Sequence, residues 1–265
     1  MRLYILAAAL GGLVTAAGAG AQASDPVLLE ELTWTEVRDA VRAGKTTIIV
    51  PAGGTEQNGP HMALGKHNAR VKVLSRDIAR MLGDALVAPV IAYVPEGGIT
   101  PPTAHMRYPG TITVPEEAFR KVLEFAARSF KLHGFRNIVL LGDHGSTQAG
   151  QRAVAARLNR EWASTGVRVH AIEEYYRAAE IEVPRLLRAR GYSDAELGRH
   201  AGLTDTALML ALDARMVRAD RLRPGSPGDG VDGDPTRATA ELGRPGAELI
   251  VSRTVDAVRK SITHR

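Results

Sequence analysis

Short β-branched apolar runs alternate with amphipathic helical stretches along this chain, and that alternation constrains the fold more than any other feature. Thr46 to Val50 is such a run, bounded by Gly44 before it and by Pro51 and Gly53-Gly54 after it, the pattern of a buried strand feeding a loop. From Asn68 to Leu82, the apolar residues Val71, Leu74, Ile78 and Met81 recur at helical spacing, and Gly83 follows as a stop. Ala85 to Val94 is strand-like again and opens into a Pro/Gly loop running to Gly110. Pro115 starts a helix where its missing N–H is harmless; Phe119, Val122, Leu123, Ala126 and Phe130 form the apolar face and Gly134 ends it. Asn137 to Leu141 predicts a strand, Gln148 to Ala163 a helix, and Val167 to Ile172 a further strand. Strands separated by helices need crossover connections, so the expected class is α/β, a mostly parallel central sheet covered on both faces. Ligands of such sheets sit at the carboxyl ends of the strands. Polar clusters here follow the strands ending at Val50, Val94 and Leu141.

The first 23 residues read as a secretory address: a positive start at Met1-Arg2, an apolar run from Leu3 to Leu13, and a small-x-small cleavage site at Ala21-Gln22-Ala23. The apolar run is short and rich in Gly and Ala for a membrane span, and the alternative to a cleaved leader is an uncleaved N-terminal anchor. Cleavage would leave residues 24–265 as a single domain in the periplasm or outside the cell, with no stable membrane insertion. The chain has no cysteine, which excludes disulfides, thiolate metal ligands and a cysteine nucleophile. Its net charge of +5 comes from 34 basic residues scattered among 29 acidic ones, without a Lys/Arg block, so no nucleic-acid partner is expected. The Gly/Pro/Asp-rich stretch 221–239 reads as an ordered, functional loop rather than a domain boundary.

The densest polar cluster is Thr55-Glu56-Gln57-Asn58-Gly59-Pro60-His61, extended by Lys66-His67-Asn68. A carboxylate and two imidazoles within twelve residues of a post-strand loop suit a divalent transition metal, which takes N and O donors. A second cluster, Asp143-His144-Gly145-Ser146-Thr147, directly follows the Asn137 strand, where rigid backbone would hold His144 as a ligand needs. The same residues also fit turn and cap roles, Asn68 and Thr147 as helix N-caps and Asp143 as a turn residue. Arg199 to Thr206 forms a third cluster before the apolar run Ala207–Leu212. It reads either as a helix start capped by Thr204 or Asp205, or as His200 in general acid–base work with Asp205 as ligand or orienting carboxylate. His105 lies in a loop stiffened by three prolines, which could hold it over a pocket or leave it exposed.

These clusters resemble a known family. Pro51-Ala-Gly-Gly-Thr-Glu-Gln-Asn-Gly-Pro-His-Met-Ala-Leu-Gly65 resembles the creatininase (creatinine amidohydrolase) signature PxGSxEQHGPHLPLGTD. Leu140-Leu-Gly-Asp-His-Gly-Ser-Thr147 is similar to its NGHGGN segment and His200-Ala-Gly-Leu-Thr-Asp-Thr206 to its HAGxxET segment. Met106-Arg-Tyr-Pro-Gly-Thr111 resembles HxxFPGT, and Gly230-Val-Asp-Gly-Asp-Pro-Thr-Arg-Ala-Thr-Ala240 resembles GVxGDPxxAT. The five motifs run in order through nearly the whole mature chain.

The resemblance implies a three-layer α/β/α sandwich, a hydrolytic site with two divalent ions, and a homo-oligomer, often a hexamer. It makes Glu56 and His144 metal-binding. Three positions depart from the pattern: Asn58 stands for a histidine ligand, His67 for the bridging aspartate, and Ser146 for the glutamate that creatininase proper carries. Arg199 and Asp205 replace other acidic residues, the latter conservatively. Loss of the bridging carboxylate favours one ion, Zn or Mn, held by Glu56, His67 and His144, with Asn58 or Asp143 completing the shell. The expected activity is metal-assisted cleavage of a C–N bond in a small cyclic or linear amide. His200, or a carboxylate not identified in the sequence, would carry the proton, Asp205 would assist, and His105, Gly145 and Ser146 would contact substrate. Alternatives are a formamide or peptide-like amide as substrate, and a non-catalytic periplasmic binding protein on a hydrolase fold.

Overall fold

A computed structural model describes residues 27–263; the segment 1–23, expected to be a leader, lies outside the described residues. Four strands, β1 (Thr47–Ala52), β2 (Ala85–Val87), β3 (Asn137–Gly142) and β4 (Arg168–Ala171), pair in parallel in the order β2-β1-β3-β4. The β1–β3 register sets Thr47 opposite Asn137 and Ala52 opposite Gly142, so both strands end at one level. The helices are α1 (Trp34–Arg42), α2 (Lys66–Leu82), α3 (Glu116–Leu132), α4 (Thr147–Glu161), the short α5 (Glu174–Arg177), α6 (Val183–Arg188) and α7 (Asp194–Leu197), then α8 (Leu203–Asp213) and α9 (Ala240–Thr263).

Successive strand residues point to opposite faces, and the two cores follow that parity. Ile48, Val50, Ile138 and Leu140 pack with Phe119 and Leu123 of α3 and Val154 and Leu158 of α4. Ile49, Val139 and Leu141 pack with Val71, Leu74 and Ile78 of α2 and with α8 and α9. Helices therefore cover both faces, giving the three-layer sandwich. Each such buried side chain contributes about 1.5–3 kcal/mol relative to an exposed one. The backbones of α8 and α9 touch: a Cβ on Gly243 would come within 2.0 Å of the Ala207 carbonyl oxygen. Among the described residues no helix is long and apolar enough to cross a membrane.

Three local expectations change. The strand expected over Ala85–Val94 is regular only to Val87, because Pro89 cannot donate to the ladder. Beyond it the segment keeps one isolated bridge to β1 (Ile91 to Ala52) and another to Thr113 (from Val94). Helix α2 begins at Lys66, so Asn68 is inside it and not its cap; the Asn68 side chain instead accepts from Gly54 N at 3.0 Å and donates to Thr55 Oγ1. Neither Thr204 nor Asp205 caps α8, whose N-cap is Gly202, and this leaves the Asp205 carboxylate for partners on α2. The 221–239 loop is tied back at Asp232, whose carbonyl accepts from Arg199 N and His200 N.

Candidate metal centre

Glu56 is fully buried just past the end of β1, and four imidazoles surround its carboxylate. His67 Nε2 lies 2.7 Å from Oε1 and His200 Nδ1 3.8 Å from it; His105 Nε2 lies 3.0 Å and His144 Nε2 3.2 Å from Oε2. Two overlapping triads have mutual ligand-atom distances within 4.8 Å: Glu56 with His67 and His144, and Glu56 with His105 and His200. The trio chosen from the sequence for an ion therefore meets, although its members come from a strand end, a helix N-terminus and a second strand end. His105 reaches the centre as well, its ring set by Gln57, whose amide Nε2 donates to Nδ1 at 3.2 Å.

Behind this carboxylate lies a second layer of charge. His67 Nδ1 is 2.6 Å from Asp143 Oδ2, and Arg70 Nε and the Tyr175 hydroxyl also donate to Asp143. Arg70 and Lys66, both 1% exposed, reach Asp205 at 2.7 and 3.1 Å. Burial raises the Asp143 pKa, but the Arg70 charge and the His67 hydrogen bond outweigh it and pull it down to about 2. Glu56 is held well below the usual range: burial opposes its charge, and hydrogen bonds from His144 and His67 prevail. Burial and the Lys66 charge work against protonated His67, yet the bonds to Asp143 and Glu56 hold its pKa above the ordinary value. Burial lowers His105 and His144, and burial with Lys66 lowers His200 to about 4.

Several expected roles shift. Both Asp143 oxygens are occupied by His67, Arg70 and Tyr175, an arrangement that suits orienting His67. Ser146 turns its hydroxyl to His144 Nδ1 at 2.7 Å, where it supports that ring. Asn58 donates to the carbonyls of Glu56 and Ala63. Its Oδ1, buried without a hydrogen-bond partner, is the atom a ligand role would use. His61, part of the first cluster, faces away from the centre to Thr206 Oγ1 at 3.1 Å. Gly145 does line the cavity, and a Cβ there would meet the Tyr176 hydroxyl at 2.8 Å. Asp205 accepts from Lys66, Arg70 and the N–H of Ala201, contacts that suit an orienting carboxylate.

The sequence patterns assign no functional role to Glu96, Lys66, Arg70 or Tyr175. Glu96, 2% exposed, brings Oε2 to 3.3 Å from His144 Nε2. Burial and the neighbouring Glu56 charge push its pKa up to about 9. A lone acid between Pro95 and Gly97-Gly98 was the available signal.

The donor set suits a divalent ion. One carboxylate and two imidazoles match a catalytic zinc or manganese shell, and Asp143 behind His67 is the carboxylate–histidine support such ligands use. His144 Nδ1 accepts from the Ser146 N–H at 3.2 Å and lies 2.7 Å from the Ser146 hydroxyl; ligation through Nε2 would require the Nδ1–H tautomer, with the hydroxyl as acceptor. Glu56 Oε2 is buried with His105 Nε2 and His144 Nε2 at 3.0 and 3.2 Å, but neither meets it with good hydrogen-bond geometry, and a cation would satisfy it. The central cavity, about 230 Å³, is floored by Glu56, His67 and His144. His200 and Arg199 connect it to an open cleft of about 950 Å³ bordered by Gln57, Tyr108 and the 224–234 loop.

The sequence model for the family described as creatininase, creatinine amidohydrolase, matches residues 30–258. The chain is 26% identical to a creatinine amidohydrolase from Pseudomonas putida, over 89% of this chain and 98% of that protein. It is 28% identical to a mycofactocin precursor peptide peptidase from Mycobacterium ulcerans, over 75% of this chain and 78% of the other. Two solved creatininase structures, a Mn form and a variant of Zn–Zn type, superpose with TM-scores of 0.71 and 0.72. Each is 25% identical and covers 89% of this chain and 98% of its own.

Proposed function

The chain belongs to the creatininase family of hydrolases, and on that footing we propose that it is a metal-dependent amidohydrolase, using Zn or Mn to cleave a C–N bond of an amide. The observation that carries the reading is the convergence of four imidazoles on the buried carboxylate of Glu56, all within 3.8 Å. A divalent ion held by Glu56, His67 and His144 supplies Lewis-acid polarisation of a carbonyl and makes water acidic near neutral pH. One ion fits better than two: His67 stands where the family has a bridging aspartate, and the Lys66 ammonium already supplies positive charge beside Glu56.

The chain's own residues do the rest. Asp143 and Ser146 lock the rings of His67 and His144. His200 donates through Nε2–H to the Gln57 carbonyl at 2.9 Å and turns Nδ1 to the cavity, where it accepts a proton and returns it to the leaving nitrogen. Gly145 lines the cavity, and its backbone N–H is the candidate donor to oxyanion charge. The wide cleft next to His200 favours a second reading of the substrate, a peptide-like amide rather than a small ring, since about 950 Å³ exceeds what a small cyclic amide fills.

Removing metal with a chelator abolishes hydrolysis on this reading, and Zn2+ or Mn2+ restores it. Full turnover by Glu56→Ala and His144→Ala would sink it, and metal-free purified protein would favour a binding role. The leader places the protein in the periplasm or outside the cell, which N-terminal sequencing tests through a mature start at Ser24. The family's hexamer is the proposed assembly, open to a light-scattering mass.

A further inference from the structure

Glu96 belongs to none of the five motifs, yet it is the most tightly confined acid at the centre after Glu56 and Asp143. Its N–H donates to Thr113 Oγ1 at 2.9 Å, and that hydroxyl donates to the Gly97 carbonyl at 3.2 Å, pinning the loop on both sides of it. The carboxylate lies on bare backbone at Gly54, where a Cβ would come within 2.5 Å of Oε1. Oε2 approaches His144 Nε2 at 3.3 Å, the same nitrogen that Glu56 Oε2 approaches at 3.2 Å. Neither oxygen of Glu96, nor Glu56 Oε2, has a hydrogen-bond partner of good geometry. Two orphaned carboxylate oxygens, Glu56 Oε2 and Glu96 Oε2, meet at one imidazole nitrogen, and a third, Glu96 Oε1, is buried without a partner against Gly54; the arrangement is costly by itself and is relieved by a cation at the paired oxygens.

We propose that Glu96 is a carboxylate ligand of the divalent ion, alongside Glu56 and His144, and supplies the negative charge lost where His67 replaces an aspartate. The inference rests on the metal-dependent reading above. Charge supports it independently of distance. Glu56, Glu96, Asp143 and Asp205 bring four carboxylates into one buried cluster, while Lys66 and Arg70 bring two cations. With His67 neutral as a ligand and Glu96 ionised, these carboxylates outnumber the two cations, and Glu180 at the edge of the same cavity adds a further acid, so the cluster carries a negative charge suited to a cation. Loss of Glu96 removes one of the carboxylates nearest His144.

The test is calorimetric titration of Zn2+ and Mn2+ into chelator-stripped protein, with the visible absorption of the Co2+-loaded form as a second readout. Wild type should take up one ion per chain. Glu96→Gln should weaken affinity tenfold or more and change the intensity of the Co2+ bands, with circular dichroism unchanged; Glu96→Asp, which keeps the charge, should fall between. No ion bound by wild type overturns the metal reading itself. One ion bound by wild type, with both variants matching its affinity and spectrum, overturns the Glu96 proposal alone. Lost turnover with unchanged affinity and spectrum also overturns it, by making Glu96 a proton carrier. If Glu96→Gln does not fold, Glu96→Asp decides by the same two readouts.

Discussion

Lys66 Nζ lies 3.8 Å from Glu56 Oε1, with both side chains shut off from solvent. At an effective dielectric near 20, two unit charges at that separation interact by about 4 kcal/mol. The ammonium therefore stabilises Glu56 in the metal-free protein and opposes any cation placed beside that oxygen. Lys66→Met should tighten Zn2+ binding by about tenfold. It should also destabilise the metal-free protein by about 3 kcal/mol, because Asp205 and Glu56 lose a buried partner. Titration calorimetry and denaturant melts with chelator measure the two effects; weaker metal binding in the variant would contradict the electrostatic account.

Asp143 acts on the ion only through His67. Asp143→Asn keeps the shape of the side chain but removes the charge that sets the His67 ring. Metal affinity should fall by about 10–100-fold, the usual consequence of losing a carboxylate behind a ligating histidine. Tyr175→Phe deletes one donor to the same carboxylate and should cost about 1 kcal/mol of stability, with much less effect on the metal. Equal losses of affinity in the two variants would place the burden on the packing around Tyr175 instead.

Glu96 gives a pH signature in chelated protein. Its folded pKa is raised to about 9 from 4.5, so the folded state keeps a proton that the unfolded chain has released. The contribution is fully present below about pH 4.5 and is lost as pH rises through about 9. Glu96→Gln cannot ionise. Relative to wild type, the chelated variant should gain stability between pH 5 and 8, on the order of 4 kcal/mol. Urea melts at both pH values check the sign; an equal pH slope in the two proteins would remove Glu96 from the account.

The parts of this fold that were legible in the sequence are local. Strand parity follows from Ile48-Ile49 and Ile138-Val139, where consecutive residues must enter opposite cores, and α2 and α3 follow from their apolar spacing. Glu56, His67 and His144 could be placed because the ends of β1 and β3 and the start of α2 are adjacent in a parallel sheet. Glu96 and His105 were harder: both sit in the irregular 88–115 segment, whose path depends on isolated bridges and Thr113 rather than on any periodic pattern. Lys66 and Arg70 did leave a trace. They are four residues apart at the start of α2, with Arg70 next to Val71 on its buried side, and charges on a core-facing stripe require buried carboxylates.

His200 offers the sharpest test of the proton-transfer step. Its Nε2–H is spent on the Gln57 carbonyl, which leaves the Nδ1 lone pair toward the cavity. Burial and the Lys66 charge hold its pKa down to about 4, so the ring is neutral and able to accept a proton throughout the neutral range. Protonation on acidification removes that capacity only as pH falls through about 4, so kcat should show no inflection from this residue between pH 6 and 7. His200→Asn retains a donor for the Gln57 carbonyl but has no base, and kcat should drop by about 100-fold or more while bound metal is unchanged. A kcat within threefold of wild type would remove His200 from proton transfer. A loss of metal in the variant would instead make the second triad, Glu56 with His105 and His200, the ion's seat.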